Sequence, residues 1–317
     1  MRSRLTVIVA IALAIAALGF AITRVISEPG PPAAAHASLP PMQASYLGVF
    51  EEGAPPAYQP LDSFGQVAGM PPNLVGYFSG WAESFDRAFA NSVSAHGAVL
   101  LVQIDPTYAP IAQIAAGNYD RYLLSYADSV RSYGRPVVIG FGQEMNGTWY
   151  PWGYNHVSPA TFVVAWRHLV DLFRGQGADN VTWLWTINAN RPADSSVPPL
   201  SSWWPGSKYV TWVGLDGFYY RPSDTFRSVF GQTIQQVRTF THEPVLLSET
   251  AVGPAAGQFI KIPQLFSGMV RDRALGLVWF DKNQHAGIYH QDWRIEGNQR
   301  AGDVFRLGVR DNVRPSR

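Results

Sequence analysis

The chain has 317 residues, of which 47% are hydrophobic and 15% charged, so it can bury a large core and suits one large domain. Its 24 basic and 23 acidic residues leave a formal net charge of +1 without a basic stripe, which excludes nucleic acid as an expected partner. The absence of cysteine excludes disulfides, thiol nucleophiles, cysteine-ligated metals and a lipoprotein anchor.

The N-terminus predicts an export signal. Arg2 and Arg4 precede the apolar run from Leu5 to Ile22, which is long enough to approach a membrane span. The run can be a cleaved signal peptide or an uncleaved anchor, because the A-x-A-like site beyond it, Ala35 to Ala37, lies far downstream. In both cases the positive end predicts a folded body outside the cytoplasm, either secreted or tethered through residues 5–22.

A linker follows this segment. The stretch EPGPPAAAHASLPP, from Glu28 to Pro41, is rich in proline and alanine and is typical of a semi-rigid spacer. The sequence therefore predicts a signal segment at 1–27, a linker at 28–43 and one folded domain at 44–317.

Eight short apolar runs alternate with helix-like stretches in that domain. The predicted strands are 46–50, 74–78, 98–104, 136–141, 181–187, 210–218, 244–249 and 275–280. The helical stretch from Tyr119 ends in Gly134, and the one from Ser158 opens with Ser158 and Pro159, which are helix stop and start signals. This alternation predicts a (β/α)8 TIM barrel. A doubly wound open sheet is the alternative, but no G-x-G-x-x-G turn follows the first strand.

Two acids stand where a barrel carries its chemistry, at the carboxyl ends of strands. Glu144 follows the fourth predicted strand in GQEMNGTWYPWG, and Glu249 ends the seventh in PVLLSETAVG. Strands four and seven face each other across a barrel mouth, so we expect the two side chains to meet there. Cleavage of a glycosidic bond requires such a pair, one acid to protonate the leaving oxygen and one to attack or to activate water.

The segment RPVVIGFGQEMNGTWYPWG resembles the acid/base segment of glycoside hydrolase family 26, a family of β-mannanases and related β-glucanases and β-xylanases. Four further segments also resemble the family: VTWLWTINAN, YVTWVGLDGF, PVLLSETAVG and LGLVWFDKNQHAGIYHQDWRI. The resemblance spans Tyr46 to Arg306 and implies a retaining endo-β-glycosidase with Glu144 as general acid/base and Glu249 as nucleophile. It implies β-mannan as the first substrate, with β-glucan or β-xylan as alternatives. We expect a monomer without a cofactor, whose partner is a polysaccharide or oligosaccharide.

Two positions differ from the family's usual pattern. Gln143 stands where a histidine usually precedes the acid/base glutamate, although its amide can still bind a sugar hydroxyl. Phe218 replaces the tyrosine of a D-G-Y motif that supports the nucleophile, with Tyr219 and Tyr220 behind it. Either Tyr219 takes over that role through a local backbone shift or the support is lost.

The sequence also predicts the residues that contact sugar. Aromatic residues make up 13% of the chain, and surplus tryptophan either fills cores or stacks on flat apolar faces. The predicted stacking surfaces are Trp149, Trp152, Trp185 and Trp279, and the predicted polar contacts are Asn146, Asn188, Asp281 and His290. Asp216 is expected to fix its turn. No metal is expected, since the histidines are scattered and form no H-E-x-x-H motif.

The expected charge states follow from the mechanism. Glu144 should begin protonated, because aromatic walls and the negative Glu249 raise its pKa, while hydrogen-bond donors should keep Glu249 ionised. An alternative of another class is a carbohydrate-binding barrel in which the changes at Gln143 and Phe218 mark lost catalysis. An exported esterase finds no support, because no G-x-S-x-G elbow is present.

Overall fold

A closed barrel of eight parallel strands confirms the predicted fold class. The structure is a computed structural model, which describes residues 38–189, 197–284 and 289–314. Each strand pairs with the next, and the eighth pairs with the first. The strands are β1 (Tyr46–Glu51), β2 (Leu74–Gly80), β3 (Val99–Asp105), β4 (Val137–Phe141), β5 (Val181–Asn188), β6 (Trp212–Tyr219), β7 (Val245–Val252) and β8 (Gly276–Asp281).

α-Helices follow the strands as the alternation predicts, except that among the described residues β5 and β6 are connected through the short 3-10 helix Leu200–Trp203. They are α1 (Gln59–Ala68), α2 (Arg87–Ala95), α3 (Ile111–Ala115), α4 (Asp120–Tyr133), α5 (Pro159–Gly175), α6 (Gln232–Val237), α7 (Gln258–Arg271) and α8 (Gln299–Asn312). Helix α4 ends at Gly134, whose φ of 71° places it in the left-handed region that glycine favours. Helix α5 begins after Ser158, whose side chain accepts a hydrogen bond from the Thr161 backbone N–H. Both boundary signals are confirmed.

Side-chain alternation along the strands decides which residues face the barrel interior. Phe50 of β1 and Phe78 of β2 stack inside, with ring centroids 4.7 Å apart. Gly76 makes room for them, because a Cβ there would lie 2.6 Å from the Phe50 ring. The residues between these positions face the helices, so neighbours in sequence lie on opposite sides of the barrel wall.

Strand β7 contains a bulge immediately before Glu249. Against β6, Gly214 pairs with Leu246 but Asp216 pairs with Glu249, so β7 has one extra residue over this interval. The register against β8 shifts over the same part of β7. A bulge bends its strand and redirects the next side chain, so this one sets the direction in which Glu249 points.

The part of the chain that the structure describes belongs to one compact unit, His36–Arg317. The predicted signal segment at 1–27 lies outside the described residues, as does most of the linker at 28–43, so both stay predictions. Among the helices that are described, none has the length and apolarity needed to cross a membrane.

Candidate active site

A cavity of about 830 Å³ lies at the carboxyl ends of the strands. Strands β2 to β8 each place a residue on it, from the strand's end or from the loop that follows. Both predicted acids, Glu144 and Glu249, line this cavity. Both are more than nine-tenths buried, with 9% and 8% exposure. Its size lies within the range of about 300–1,000 Å³ that is usual for ligand sites.

The backbone holds Glu144 in a strained conformation. Its φ of 54° lies in the left-handed region, which residues other than glycine rarely adopt. The Glu144 N–H donates to the carbonyl of Thr186 on β5 at 3.1 Å, and its own carbonyl accepts from the Gly147 N–H at 2.8 Å. Such a conformation costs about 1–3 kcal/mol, and the surrounding structure must maintain it.

Two side chains donate hydrogen bonds to the Glu144 carboxyl group. The Trp149 indole N–H donates to Oε2 at 2.7 Å, and the Asn188 amide donates to Oε1 at 2.6 Å. Burial raises the pKa of Glu144, while the bonds from Asn188 and Trp149 lower it. Both donors stabilise the ionised form, so they oppose the effect of burial.

Asn146 holds Asn188 in place rather than lining the cavity. Its amide donates to the Asn188 carbonyl at 2.9 Å, and its Oδ1 accepts from the Asn188 N–H at 2.9 Å. Asn146 is 1% exposed, so the structure corrects its expected contact with sugar to an indirect role through Asn188.

Glu249 has a different environment. Burial raises its pKa well above the usual range, and the negative Glu144 raises it further, whereas the positive Lys282 lowers it. No side chain within the described ranges donates a hydrogen bond to its carboxylate. The expectation that hydrogen-bond donors keep Glu249 ionised is thereby corrected, since the favourable contribution from side chains comes from the Lys282 ammonium.

Two further buried carboxyl groups lie close to this pair. Asp216 lies within β6 opposite Glu249 and accepts a 2.6 Å hydrogen bond from the Ser248 hydroxyl, so it joins two strands rather than fixing a turn. Burial, Glu249 and Glu144 raise its pKa. Asp105 ends β3 and lines the cavity, and burial raises its pKa to about 7. Burial and mutual repulsion therefore disfavour any state in which all four carboxyl groups are ionised together.

Three of the predicted sugar contacts line the cavity with the two acids: Trp149, Asn188 and His290. Trp149 is 54% exposed, so one face of its indole is available for stacking while its N–H binds Glu144. These placements fit the predicted contacts, which stay predictions.

The loop after β4 places Gln143 and Trp152 beneath the cavity. Trp152 is 2% exposed, donates its indole N–H to the Gln143 carbonyl at 2.7 Å and stacks on Tyr150, whose ring centroid is 4.4 Å away. Gln143 is 1% exposed and lies beside Asp105, where it lowers that carboxyl's pKa. Neither Gln143 nor Trp152 lines the cavity, whereas their neighbours Asp105 and Tyr150 do, so the structure does not support the expected sugar contacts of Gln143 and Trp152.

Three further predicted contacts face away from the barrel interior, because successive side chains of a strand point to opposite faces. Trp185 packs edge-on against Trp204, Tyr219 lies beside Phe230, and Trp279 packs against Phe305 of α8. The side chains of Trp185, Tyr219 and Trp279 are all 0% exposed. Their expected sugar contacts are corrected to packing roles, and Tyr219 does not take over the support of the nucleophile.

Phe218 and Tyr220, the neighbours of Tyr219, and Phe280, the neighbour of Trp279, line the cavity instead. With Trp149, the other aromatic walls are Phe78, Tyr150, Tyr289 and Trp293. Apart from Trp149, sequence reasoning predicted none of these as ligand contacts, although alternation along β6 and β8 could have identified Phe218, Tyr220 and Phe280 as the inward neighbours of Tyr219 and Trp279.

Asp281, another predicted contact, belongs to an acidic cluster outside the cavity lining. Its carboxylate and those of Glu51 and Glu296 place oxygens within 4.8 Å of one another. Burial and the nearby Glu296 together raise the pKa of Glu51 to about 7 and that of Asp281 to about 11. These three carboxyl groups, which lie in the described ranges, could hold a cation. Protons shared between them would relieve their repulsion equally well, so we assign the cluster no metal.

Glycoside hydrolases cleave sugar chains with a pair of carboxyl groups. The mouth of this barrel holds such a pair, surrounded by aromatic rings, so the site is of the glycoside hydrolase class. The family model for glycosyl hydrolase family 26 matches residues 121–308, more than half of the 317 residues. The chain belongs to this family, which confirms the resemblance seen in the sequence.

Individual relatives agree with this assignment. Endoglucanase H from Acetivibrio thermocellus is 26% identical over 273 residues, which cover 81% of this chain and 29% of that protein. Mannan endo-1,4-β-mannosidase from Bacillus subtilis is 24% identical over 186 residues, 52% of this chain and 46% of that protein. The chain thus spans less than half the length of either relative.

A solved structure supports the fold. A modular endo-β-1,4-mannanase from Cellulomonas fimi superimposes with a TM-score of 0.63 at 18% identity, covering 84% of this chain and 70% of that one.

The acidic cluster predicts a pH dependence of stability. A carboxyl group with a raised pKa stabilises the fold fully below its unfolded pKa of about 4, and this contribution is lost as the pH rises through the folded value. The melting temperature of the wild type should therefore fall more steeply than that of Asp281→Asn from about pH 4 upward. Calorimetry across this range measures the difference. Asp303→Asn, at an exposed position of α8, is the control, and parallel curves for wild type and Asp281→Asn would contradict the raised pKa.

Proposed function

We propose that the protein is an exported endo-β-glycosidase that hydrolyses β-mannan with retention of configuration. Glu144 is the general acid/base and Glu249 the nucleophile. One observation carries the proposal: both carboxyl groups are buried on one aromatic-walled cavity, close enough for the charge of Glu144 to raise the pKa of Glu249. A protein that only bound sugar would gain nothing from burying two mutually repelling acids.

The first chemical step needs one proton on the pair. Mutual repulsion makes the singly protonated pair the favoured state, and the productive arrangement has the proton on Glu144 and the charge on Glu249. Glu144 then protonates the glycosidic oxygen as that bond breaks, while Glu249 attacks the anomeric carbon and forms a glycosyl ester.

The second step reverses the role of Glu144. Formation of the ester removes the negative charge of Glu249, so the pKa of Glu144 falls and its carboxylate can take a proton from the incoming water. The hydrogen bonds from Trp149 and Asn188 stabilise Glu144 in this ionised state. Water attacks the anomeric carbon, and Glu249 leaves as a carboxylate.

The choice of β-mannan rests on the family resemblance and on the mannosidase relative. A β-glucan is the second candidate, because the endoglucanase matches a larger share of this chain. β-Xylan is the third. The aromatic walls at Phe218, Tyr220 and Trp293 provide apolar surface to any of these polysaccharide backbones. Activity measurements on each polysaccharide therefore identify the linkage that is cleaved.

Export rests on the apolar run from Leu5 to Ile22 behind Arg2 and Arg4. We expect fractionation of the producing cells to place the full chain in the membrane or medium with its barrel accessible to added protease. A barrel that stays protected until the cells are lysed would oppose export.

Exchange of either acid for its amide should abolish hydrolysis. Glu144→Gln removes the proton donor, which should lower kcat/KM at least about 100-fold, and Glu249→Gln removes the nucleophile. Reducing-end release from mannan, mixed-linkage glucan and xylan measures activity, and ¹H NMR of the first product shows its anomeric configuration. Glu52→Gln, at an exposed position after β1, is the control.

Each outcome bears on a separate part of the proposal. Full activity in either amide variant would overturn the assigned mechanism, and an inverted first product would overturn retention. Binding without hydrolysis by the wild type would favour the carbohydrate-binding barrel.

Removal of the Trp149 hydrogen bond should move the basic limb of the pH profile. Trp149→Phe keeps an aromatic ring but deletes the donor to Glu144, so the pKa of Glu144 should rise and kcat/KM should persist to higher pH, by up to about one pH unit. Trp152→Phe is the matched control, because its indole donates to a carbonyl and not to a carboxylate. The idea fails if the limb stays in place, or if both variants move it equally.

A further inference from the structure

Lys282 occupies a defined position in the cavity wall. It directly follows β8, and its ammonium lies 5.2 Å from the ring centroid of Phe78 and 5.5 Å from that of Phe280. Cation–π attraction to both rings holds the charge against the barrel rim and partly shields it from water. Within the described ranges Lys282 forms no salt bridge, so no partner carboxylate neutralises its charge.

Lys282 acts on one member of the acid pair. Its positive charge lowers the pKa of Glu249, whereas the groups that act on Glu144 are burial, Asn188 and Trp149. The hydrogen bonds from Asn188 and Trp149 favour ionisation of Glu144, and the charge of Lys282 opposes them by favouring ionisation of Glu249, which shifts the shared proton toward Glu144. That arrangement, with Glu144 protonated and Glu249 ionised, is the one that the first chemical step needs.

Neither of the two positions expected to support the nucleophile offers Glu249 a hydroxyl group in the part of the chain that the structure describes. Phe218 has no donor, and Tyr219, on the opposite side of the wall, packs beside Phe230. Among the described residues, the titratable groups coupled electrostatically to Glu249 are Asp105 from β3, Glu144 from the loop after β4, Asp216 from β6, Lys282 after β8, and the hydroxyls of Tyr150 and Tyr220. Tyr289 and His290 line the same cavity. Lys282 is the cation in this set, and the three carboxyl groups all oppose ionisation of Glu249.

We propose that Lys282 is a positioning residue, whose ammonium, held against Phe78 and Phe280, keeps Glu249 in the ionised form that attacks the sugar. It thereby replaces the hydroxyl donor that Phe218 lacks. The inference rests on the proposed function of Glu249. It extends to the second step, in which the same positive charge stabilises Glu249 as it leaves the glycosyl ester as a carboxylate.

The test measures the ionisation of Glu249 directly. In protein carrying ¹³C-labelled glutamate, the Glu249 carboxyl resonance is assigned by its loss in Glu249→Gln and titrated in three backgrounds. Lys282→Met keeps the aliphatic stem without the charge and should raise the midpoint by about one pH unit. Lys282→Arg keeps the charge and should leave the midpoint near that of the wild type. Lys282→Gln provides a second neutral variant if the methionine variant does not fold.

Kinetics provide the second readout. The acid limb of the kcat/KM profile should move upward by the same amount in Lys282→Met and return in Lys282→Arg. Equal carboxyl midpoints in all three proteins would overturn the inference, as would a raised KM with an unshifted profile, which indicates a sugar contact. A wild type that hydrolyses no polysaccharide defeats the proposed function alone, because the carboxyl titration does not depend on turnover.

Discussion

Electrostatic crowding is the constraint on which the site depends. Asp105, Glu144, Asp216 and Glu249 are all largely buried around one cavity, and burial alone raises the pKa of each. These acids cannot all be charged together, so the surrounding groups determine which of them keeps a proton. Hydrogen bonds to Glu144, the Ser248 hydroxyl on Asp216 and the charge of Lys282 each shift that balance at one carboxyl group.

The fold could be predicted from the sequence because its signals are local and repeated. Each strand is a short apolar run, and capping residues such as Ser158 and Gly134 mark the helix ends. Glu144 and Glu249 could be singled out for a related reason, because a barrel exposes the ends of its strands at one mouth. These inferences need only the order of the elements.

The cavity walls could not be predicted as well, because they depend on which face of a strand is turned inward. Trp185 and Trp279 looked like stacking surfaces by type, but alternation places them against helices, while Phe280 lines the cavity. One reliable anchor per strand, such as Asn188 on β5, would have fixed this choice. The β7 bulge carries no comparable signal, because its extra residue is apparent only from pairing with both neighbours.

The left-handed backbone at Glu144 has an evolutionary consequence. Glycine adopts this conformation without the steric cost that a glutamate bears, so the backbone itself favours drift toward glycine at this position. Under the proposed mechanism, selection for turnover opposes that drift. A lineage released from such selection could lose its acid while keeping the barrel and its aromatic walls, so a sugar-binding descendant is a short mutational distance from the proposed enzyme.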